Sequence, residues 1–265
     1  MNTTIYKYLL PVCIAAPLLG GKANATSIIC IRSPESIVIA ADSMLTVKNG
    51  EKTGAVQSEC KIRQAGDSFF TLSGLYKDPV REFDVIRIIN DSLNINKKLS
   101  QGADAVAARV SADLLVEINR LKSESSDDYN TIKTRGGVLT SILLAGFENG
   151  KAEVIFLKFK PAVAATGETV IKIERNSCPG DCNPENVQAF YLTDMKAIDD
   201  YLKKGGKIDW LAPEKAAKFL VGLVIDAHTP GVAPPIDLLR IDGNGPLWIE
   251  RKPECPEISG PPSAR

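Results

Sequence analysis

The order of its secondary-structure patterns is the feature that most constrains the fold of this chain. Short apolar runs typical of β-strands come first, at 27–72, and two helical periodicities follow at 78–121. Strands return at 138–192, and two more helices and two last strands complete the order. Helices that come in pairs argue against a doubly wound parallel sheet. We therefore expect an α+β domain, a four-layer αββα sandwich of two stacked antiparallel sheets with a helix pair on each outer face.

Local signals set the predicted boundaries of the elements. Asp78-Pro79, a cap followed by a first-turn proline, predicts that the first helix begins there, with Phe83 and Ile86 on its apolar face. The Gly- and Asn-containing stretch 48–54 is predicted to be a loop. The other predicted helices are 102–121, 195–204 and 213–227, and the predicted strands are 27–32, 36–41, 61–65, 69–72, 138–147, 152–160, 170–174, 189–192, 236–241 and 247–250.

The first 25 residues have the order of a secretory signal peptide: a polar start with Lys7, an apolar stretch at 9–19 and the small-x-small triplet Ala23-Asn24-Ala25. An apolar stretch of eleven residues is too short for a membrane-spanning helix, which needs about 20. We predict cleavage after Ala25 and a secreted or periplasmic protein without membrane attachment after processing. Residues 26–252 would form the domain, and the proline-rich tail 253–265 is predicted to be disordered.

The charge balance excludes one class of partner. Two of the 32 basic residues, Lys7 and Lys22, precede residue 26, which leaves 30 basic against 32 acidic side chains in the processed chain. A net charge this close to zero gives no electrostatic reason to expect nucleic acid or acidic lipid as a partner.

Five cysteines follow the predicted leader. The close pair Cys178 and Cys182 favours a disulfide that closes a short loop in an oxidising compartment. A metal site is the alternative, but the chain has one histidine and no second close pair of cysteines. We therefore expect neither a metal nor an organic cofactor. Because the count is odd, at least one thiol would be free or paired between chains.

Cleavage after Ala25 would give the hydroxyl of Thr26 a chemical use. A threonine hydroxyl is a poor nucleophile at neutral pH and needs a base beside it. The α-amino group of an N-terminal threonine can be that base, because its unperturbed pKa is about 7.7 to 8.0. Some residue must follow every signal peptide, however, so the position alone is a weak indication of catalysis.

Three stretches, TSIICIRSPESIVIAADSM, CKI and FFTLSGLYKD, follow in order from Thr26. Together they resemble the opening of a proteasome β-subunit, within the N-terminal-nucleophile (Ntn) hydrolase superfamily. The later stretch APEKAAKFLVGLVIDAHTPGVAPPIDLLRI is similar to that family's late helix and the strand after it. The resemblance implies the Ntn hydrolase fold for most of the processed chain. The positions that match the family's functional residues are Thr26, Asp42, Lys61 and Gly74.

Each matching residue has a role that the resemblance implies. Thr26 would be the nucleophile, and the Lys61 cation beside it would stabilise the alkoxide and lower the pKa of the α-amine. Asp42 would hold Lys61, and the backbone N–H of Gly74 would donate to the oxyanion. Taken singly, the same residues also fit a strand-end turn, a solvated lysine and a turn glycine.

The sequence departs from the family in the residues that support the amine. Where the family has a serine-containing glycine turn, this chain has Thr193-Asp194, and where it has a supporting Asp and Ser, this chain has residues 228–232. Asp194 or Asp226 could substitute. His228 is predicted to interact with the last carbonyls of a helix, because no G-x-S-x-G motif is present to pair it with a serine.

The resemblance implies a function as an exported threonine-type amidohydrolase, most simply a peptidase. Without an ATP supply for an unfoldase, its substrates would be small or unstructured peptides or other small amides. The protein could be a monomer or a homo-oligomer. Two alternatives stay open: an inactive binding or structural module, and a hydrolase of non-peptide amides.

Overall fold

The computed structural model of the protein describes residues 26–49, 52–78, 82–96, 98–124, 129–130 and 137–258. Within these ranges the chain is α+β, with four helices and fourteen strands. The helices are α1 (Val85–Ile95), α2 (Leu99–Glu124), α3 (Lys196–Lys203) and α4 (Pro213–Asp226). Residues 1–25, which include the predicted leader, lie outside the described ranges.

The strands form two antiparallel five-stranded sheets and two small hairpins. The strands are β1 (Ile28–Arg32), β2 (Ser36–Ala41), β3 (Met44–Asn49), β4 (Lys52–Ser58), β5 (Arg63–Ala65), β6 (Ser68–Gly74), β7 (Lys77–Asp78), β8 (Phe83–Asp84), β9 (Thr140–Glu148), β10 (Lys151–Val163), β11 (Thr169–Cys178), β12 (Gln188–Leu192), β13 (Asp237–Asp242) and β14 (Gly245–Glu250). The first sheet has the order β12-β1-β2-β13-β14, and the second has the order β11-β10-β9-β6-β5. The hairpins are β3-β4 and β7-β8.

Strand β1 explains why the first sheet is covered on both faces. All five residues of its sequence, IICIR, are buried. Because side chains alternate along a strand, Ile28 and Cys30 pack into one core cluster and Ile29 and Ile31 into another. The cluster of Ile28 and Cys30 also contains side chains of the second sheet, so the two sheets stack on it. Its members from the second sheet are Phe69, Leu143, Ala145, Ala152, Val154, Phe156 and Cys178.

The helices cover the outer faces of the two sheets. Leu220 and Val224 of α4 pack with Ile29 and Ile31 on the first sheet. Helices α1 and α2 pack on the second sheet, and the predicted face of α2 is confirmed, with Val106, Val110, Leu114, Ile118 and Leu121 all buried. Each such side chain contributes about 1.5 to 3 kcal/mol when it leaves water. The arrangement is compatible with the expected four-layer sandwich.

The predicted start of the first helix was wrong, and so was the place of Phe83 on its apolar face, because Phe83 lies in β8. Helix α1 begins at Val85 and is capped by Asp84, whose side chain accepts a hydrogen bond from Arg87 N at 3.0 Å. Asp78 instead lies in β7 and pairs with Phe83, which fits the extended backbone that a residue before proline prefers.

The predicted loop 48–54 is also wrong, because these residues contribute to the hairpin of β3 and β4. An Asn-Gly dipeptide between two strand-forming runs favours a tight hairpin turn as well as a loop. Residues 50 and 51 lie outside the described ranges.

The cysteines form two disulfides. The predicted pair Cys178–Cys182 is confirmed, and Cys60 is bonded to Cys255 across 195 positions of sequence. Cys30 is the unpaired cysteine of the described residues and is fully buried. Two disulfides fit a protein exported to an oxidising compartment. Among the described residues, no helix combines the length and the apolar character that a bilayer crossing requires.

The second disulfide corrects the predicted start of the disordered tail at residue 253. Cys255 is 2% exposed and its N–H donates to Lys252 O at 3.1 Å. The proline-rich composition suggested a free tail, but a covalent bond to Cys60 holds this segment against the domain. Residues 259–265 lie outside the described ranges.

Candidate active site

Asp42 is the most firmly held of the predicted site residues. It follows β2 and is 0% exposed. Its Oδ1 accepts from Ser27 N at 2.8 Å, and its Oδ2 accepts from Met44 N at 3.1 Å and Ala233 N at 3.3 Å. Asp42 N returns a bond to Ser27 O at 3.0 Å, which continues the pairing of β1 with β2. Backbone donors from three segments thus fix this carboxylate beside the start of β1.

Lys61 brings its ammonium to that carboxylate and to the Thr26 hydroxyl. It lies just before β5 and is 5% exposed. Its Nζ is 2.6 Å from Asp42 Oδ1 and 3.5 Å from Thr26 Oγ1. Burial lowers the pKa of the Lys61 ammonium, and the Asp42 carboxylate opposes that shift. The site therefore holds a cation next to a hydroxyl, with its protonation set by two opposing effects.

Thr26 is half-buried at the entry to β1. Its neighbour Ser27 is fully buried, and Ser27 Oγ accepts from Thr193 Oγ1 at 3.3 Å. The structure therefore brings Thr26, Asp42 and Lys61 into one cluster, although Asp42 and Lys61 follow Thr26 by 16 and 35 positions.

Gly74 lies at the end of β6, where its backbone φ is +96°. A Cβ added there would lie 2.2 Å from the carbonyl oxygen of Leu139. The same oxygen accepts from Leu75 N at 2.8 Å, so the β6–β9 pairing brings the two backbones this close. Close approach and the left-handed conformation both explain a glycine at this position. Its role as an oxyanion donor stays a prediction.

Gly74→Ala is expected to lower the free energy of unfolding by about 2 to 4 kcal/mol, through left-handed strain and the clash with Leu139 O. Urea unfolding monitored by tryptophan fluorescence would measure the loss. Gly150→Ala is the matched control, because Gly150 also has a positive φ but an added Cβ would meet nothing within 4 Å. Equal losses in the two variants would contradict the packing explanation.

The residues proposed to substitute for the family's supporting groups have other positions. Asp194 lies just before α3, and its Oδ1 accepts from the N–H of the first helical residue, Lys196, at 2.9 Å. Asp226 and His228 are exposed at the end of α4. His228 has a φ of +52°, and its N–H donates to Ile225 O at 2.8 Å, which ends the helix. Thr193, the residue before Asp194, is the one whose side chain approaches the start of β1, because its hydroxyl donates to Ser27 next to Thr26.

Sequence reasoning missed a second buried ion pair close to Lys61. Lys252 Nζ lies 3.0 Å from Asp237 Oδ2, and Lys252 N donates to Asp237 Oδ1 at 3.0 Å. The side chains are 2% and 0% exposed. An aspartate inside the apolar run IDLLRI was the available signal, because a buried carboxylate needs a charged or hydrogen-bonding partner.

The same region contains the atoms that come closest to a metal site in the described part of the chain. Ligand-type atoms of Cys60, Asp237 and Cys255 lie within 4.8 Å of one another. The two sulfurs are bonded to each other and Asp237 is paired with Lys252. In this form the three groups are already occupied, so the cluster is structural.

Comparison with known proteins gives no family for this chain. No model of a known protein family matches the sequence, and no curated protein matches it significantly. The geometry of Thr26, Asp42 and Lys61 therefore has to carry any functional interpretation.

Proposed function

We propose that this protein is an exported Ntn hydrolase that cleaves amide bonds with Thr26 as its nucleophile. The observation that carries the proposal is the Lys61 ammonium, which lies 3.5 Å from Thr26 Oγ1 and 2.6 Å from the buried Asp42 carboxylate. A buried charge is costly, and the pairing with Asp42 offsets the cost of burying the Lys61 ammonium. That pairing does not explain why the ammonium also lies beside the Thr26 hydroxyl. Two stacked antiparallel sheets with helices outside agree with the fold that the resemblance implies.

The proposed reaction begins when the leader is removed and the α-amine of Thr26 becomes free. The neutral amine takes the proton of Thr26 Oγ1, directly or through one water, as the oxygen attacks the carbonyl carbon of the substrate amide. Lys61 stabilises the developing charge on Oγ1, and the N–H of Gly74 donates to the carbonyl oxygen. The amine then returns its proton to the leaving nitrogen, and the C–N bond breaks. An ester of Thr26 with the acyl group remains, and water hydrolyses it.

The protonation of two groups limits this reaction. At low pH the α-amine is protonated and cannot accept the hydroxyl proton, although the nearby Lys61 cation lowers the pKa at which this happens. At high pH Lys61 loses its proton and no longer stabilises the alkoxide. Because burial lowers the pKa of Lys61, this alkaline limit falls below that of an ordinary lysine. The rate should therefore pass through a maximum between the two limits.

Small or unstructured peptides are the proposed substrates, and small non-peptide amides are the alternative within the same chemistry. One observation favours a different function, an inactive binding module. Asp194 Oδ1 accepts from Lys196 N and Asp226 is exposed, and in the described part of the chain neither forms a hydrogen bond with Thr26. The experiment that follows separates this module from a hydrolase.

Covalent labelling of the exported protein tests the proposal. An epoxyketone reacts with a hydroxyl and an amine of one residue, so it should add once to a chain that begins at Thr26. We expect intact mass to show this N-terminus and one adduct on the wild type, and no adduct on Thr26→Ala. Thr166→Ala is the control, because Thr166 is exposed in a turn, and it should label like the wild type.

Two results would contradict the proposal. One is an exported chain that begins at a residue other than Thr26. The other is equal labelling of the wild type and Thr26→Ala, which would place the reactive group elsewhere. A chain that begins at Thr26 but neither labels nor cleaves a peptide or amide library would favour the binding module.

A further inference from the structure

Lys252 contacts the segment that presents Lys61. Its ammonium donates to the carbonyl oxygen of Glu59, two residues before Lys61, while it is paired with Asp237. Asp237 is the first residue of β13 and Lys252 follows β14, so the pair lies at the open end of this hairpin. A buried ion pair of this kind is a costly way to stabilise a fold, so its place next to a second buried ammonium calls for a specific role.

The segment 59–61 is held at every residue. Glu59 N donates to Ser43 O at 3.0 Å, and Glu59 O accepts from Lys252. Cys60 forms a disulfide with Cys255, and the Lys61 ammonium donates a hydrogen bond to Asp42 Oδ1. Two of these four restraints come from residues 252–255. The end of the described chain thus fixes the backbone from which the Lys61 side chain reaches Thr26.

Lys252 also acts on Lys61 through its charge. Lys61 contacts Asp42, which follows β2, and the other charges that act on its pKa are those of Glu59 before β5 and Lys252 after β14. The two carboxylates favour the cationic form of Lys61, and Lys252 opposes it because the two ammonium groups repel each other. Removal of the Lys252 charge would therefore favour the cationic form of Lys61.

We propose that Lys252, held by Asp237, is a positioning residue that fixes the Lys61 ammonium against Thr26 Oγ1. This inference rests on the proposed function, because the position it explains matters for the reaction of Thr26. The role is exerted through the Glu59 carbonyl and through the charge, and Lys252 itself does not touch the reacting atoms.

The matched set of variants is Lys252→Met, Lys252→Arg and the double variant Asp237→Asn/Lys252→Met. The double variant leaves no unpaired buried charge, so it separates loss of positioning from loss of folding. Lys218→Met is the control, because Lys218 is an exposed lysine whose ammonium pairs with Glu250 at 2.5 Å.

We expect Lys252→Met and the double variant to acylate Thr26 about 10- to 100-fold more slowly at neutral pH, as for a misplaced catalytic group. The loss should appear in kcat more than in KM. The alkaline limb of the pH–rate profile should move to higher pH in Lys252→Met, and less in the double variant, which also loses the opposite charge of Asp237. Lys252→Arg keeps the charge, so its alkaline limb should return towards the wild-type position, and Lys218→Met should behave as the wild type.

A second readout does not need activity. In protein labelled with 13C at lysine Cε, the Lys61 signal, assigned from Lys61→Met, reports its own titration. We expect its midpoint to rise in Lys252→Met, and less in the folded double variant, because the charge of Asp237 is lost with that of Lys252. An unchanged midpoint together with unchanged acylation in the folded double variant would overturn the inference. A raised midpoint in a protein that never labels at Thr26 would support the coupling of the two lysines and refute the hydrolase.

Discussion

Asp42→Asn is expected to lower the free energy of unfolding by about 3 to 5 kcal/mol, the largest loss that we expect from a single side-chain substitution. The substitution leaves the Lys61 ammonium buried without its charged partner at 2.6 Å. It also replaces one acceptor oxygen by an NH₂ group that cannot accept from the backbone donors around Asp42. Urea unfolding at neutral pH, followed by the fluorescence of Trp210 and Trp248, would measure the change.

Two further variants identify the cause of this loss. Asp42→Asn/Lys61→Met removes both charges and should recover part of the stability, because an uncharged pair of similar volume needs no compensation. Asp67→Asn, at an exposed turn, should change stability by no more than about 0.5 kcal/mol. A double variant as unstable as Asp42→Asn alone would show that the backbone hydrogen bonds of Asp42, and not its pairing with Lys61, dominate.

Removal of the disulfide between Cys60 and Cys255 is expected to cost about 4 to 5 kcal/mol, the largest loss from any pair of substitutions. A bridge stabilises mainly by restricting the unfolded chain, and the restriction grows with the loop that it closes. This bridge spans 195 positions, whereas Cys178–Cys182 spans 4. By the same relation the short bridge is worth about 2 kcal/mol.

The double serine variants of the two bridges are each other's control. Cys60→Ser/Cys255→Ser should unfold at a clearly lower urea concentration than Cys178→Ser/Cys182→Ser, with similar dependence on urea. Equal midpoints would mean that loop length does not set the contribution of the long bridge.

Long periodic segments could be predicted from the sequence, and boundaries with competing signals could not. Helix α2 has an apolar residue at each turn from Val106 to Leu121, and such a repeat has one good explanation. For α1 the cap was predicted at Asp78, because proline follows it, and Asp84, which caps the helix in the structure, was not considered. The extended backbone that proline imposes on Asp78 decided the outcome, and α1 starts at Val85.

Some residues of the candidate site could be predicted from the sequence and others could not. Thr26, Asp42 and Lys61 could be placed together because a resemblance supplied their order, and the structure brings their side chains into contact. The pair of Asp237 and Lys252 was missed although the aspartate in IDLLRI was a signal, because the register shift between Leu238 and Leu239, which helps to decide which basic residue reaches it, is not visible in the sequence. The Cys60–Cys255 bridge could not be predicted, since spacing alone does not determine connectivity.

The burial of Cys30 has a consequence for how the protein survives oxidation. An odd thiol in a chain with two bridges is a hazard, because a thiolate can attack a disulfide and exchange partners with it. Cys30 lies in the middle of β1, between the two sheets, where burial raises the pKa of its thiol far above the ordinary value. Once the two sheets have packed together, the Cys30 thiol stays protonated and is not accessible to oxidants or to neighbouring chains. Scrambling is thereby confined to the short interval before the sheets have packed.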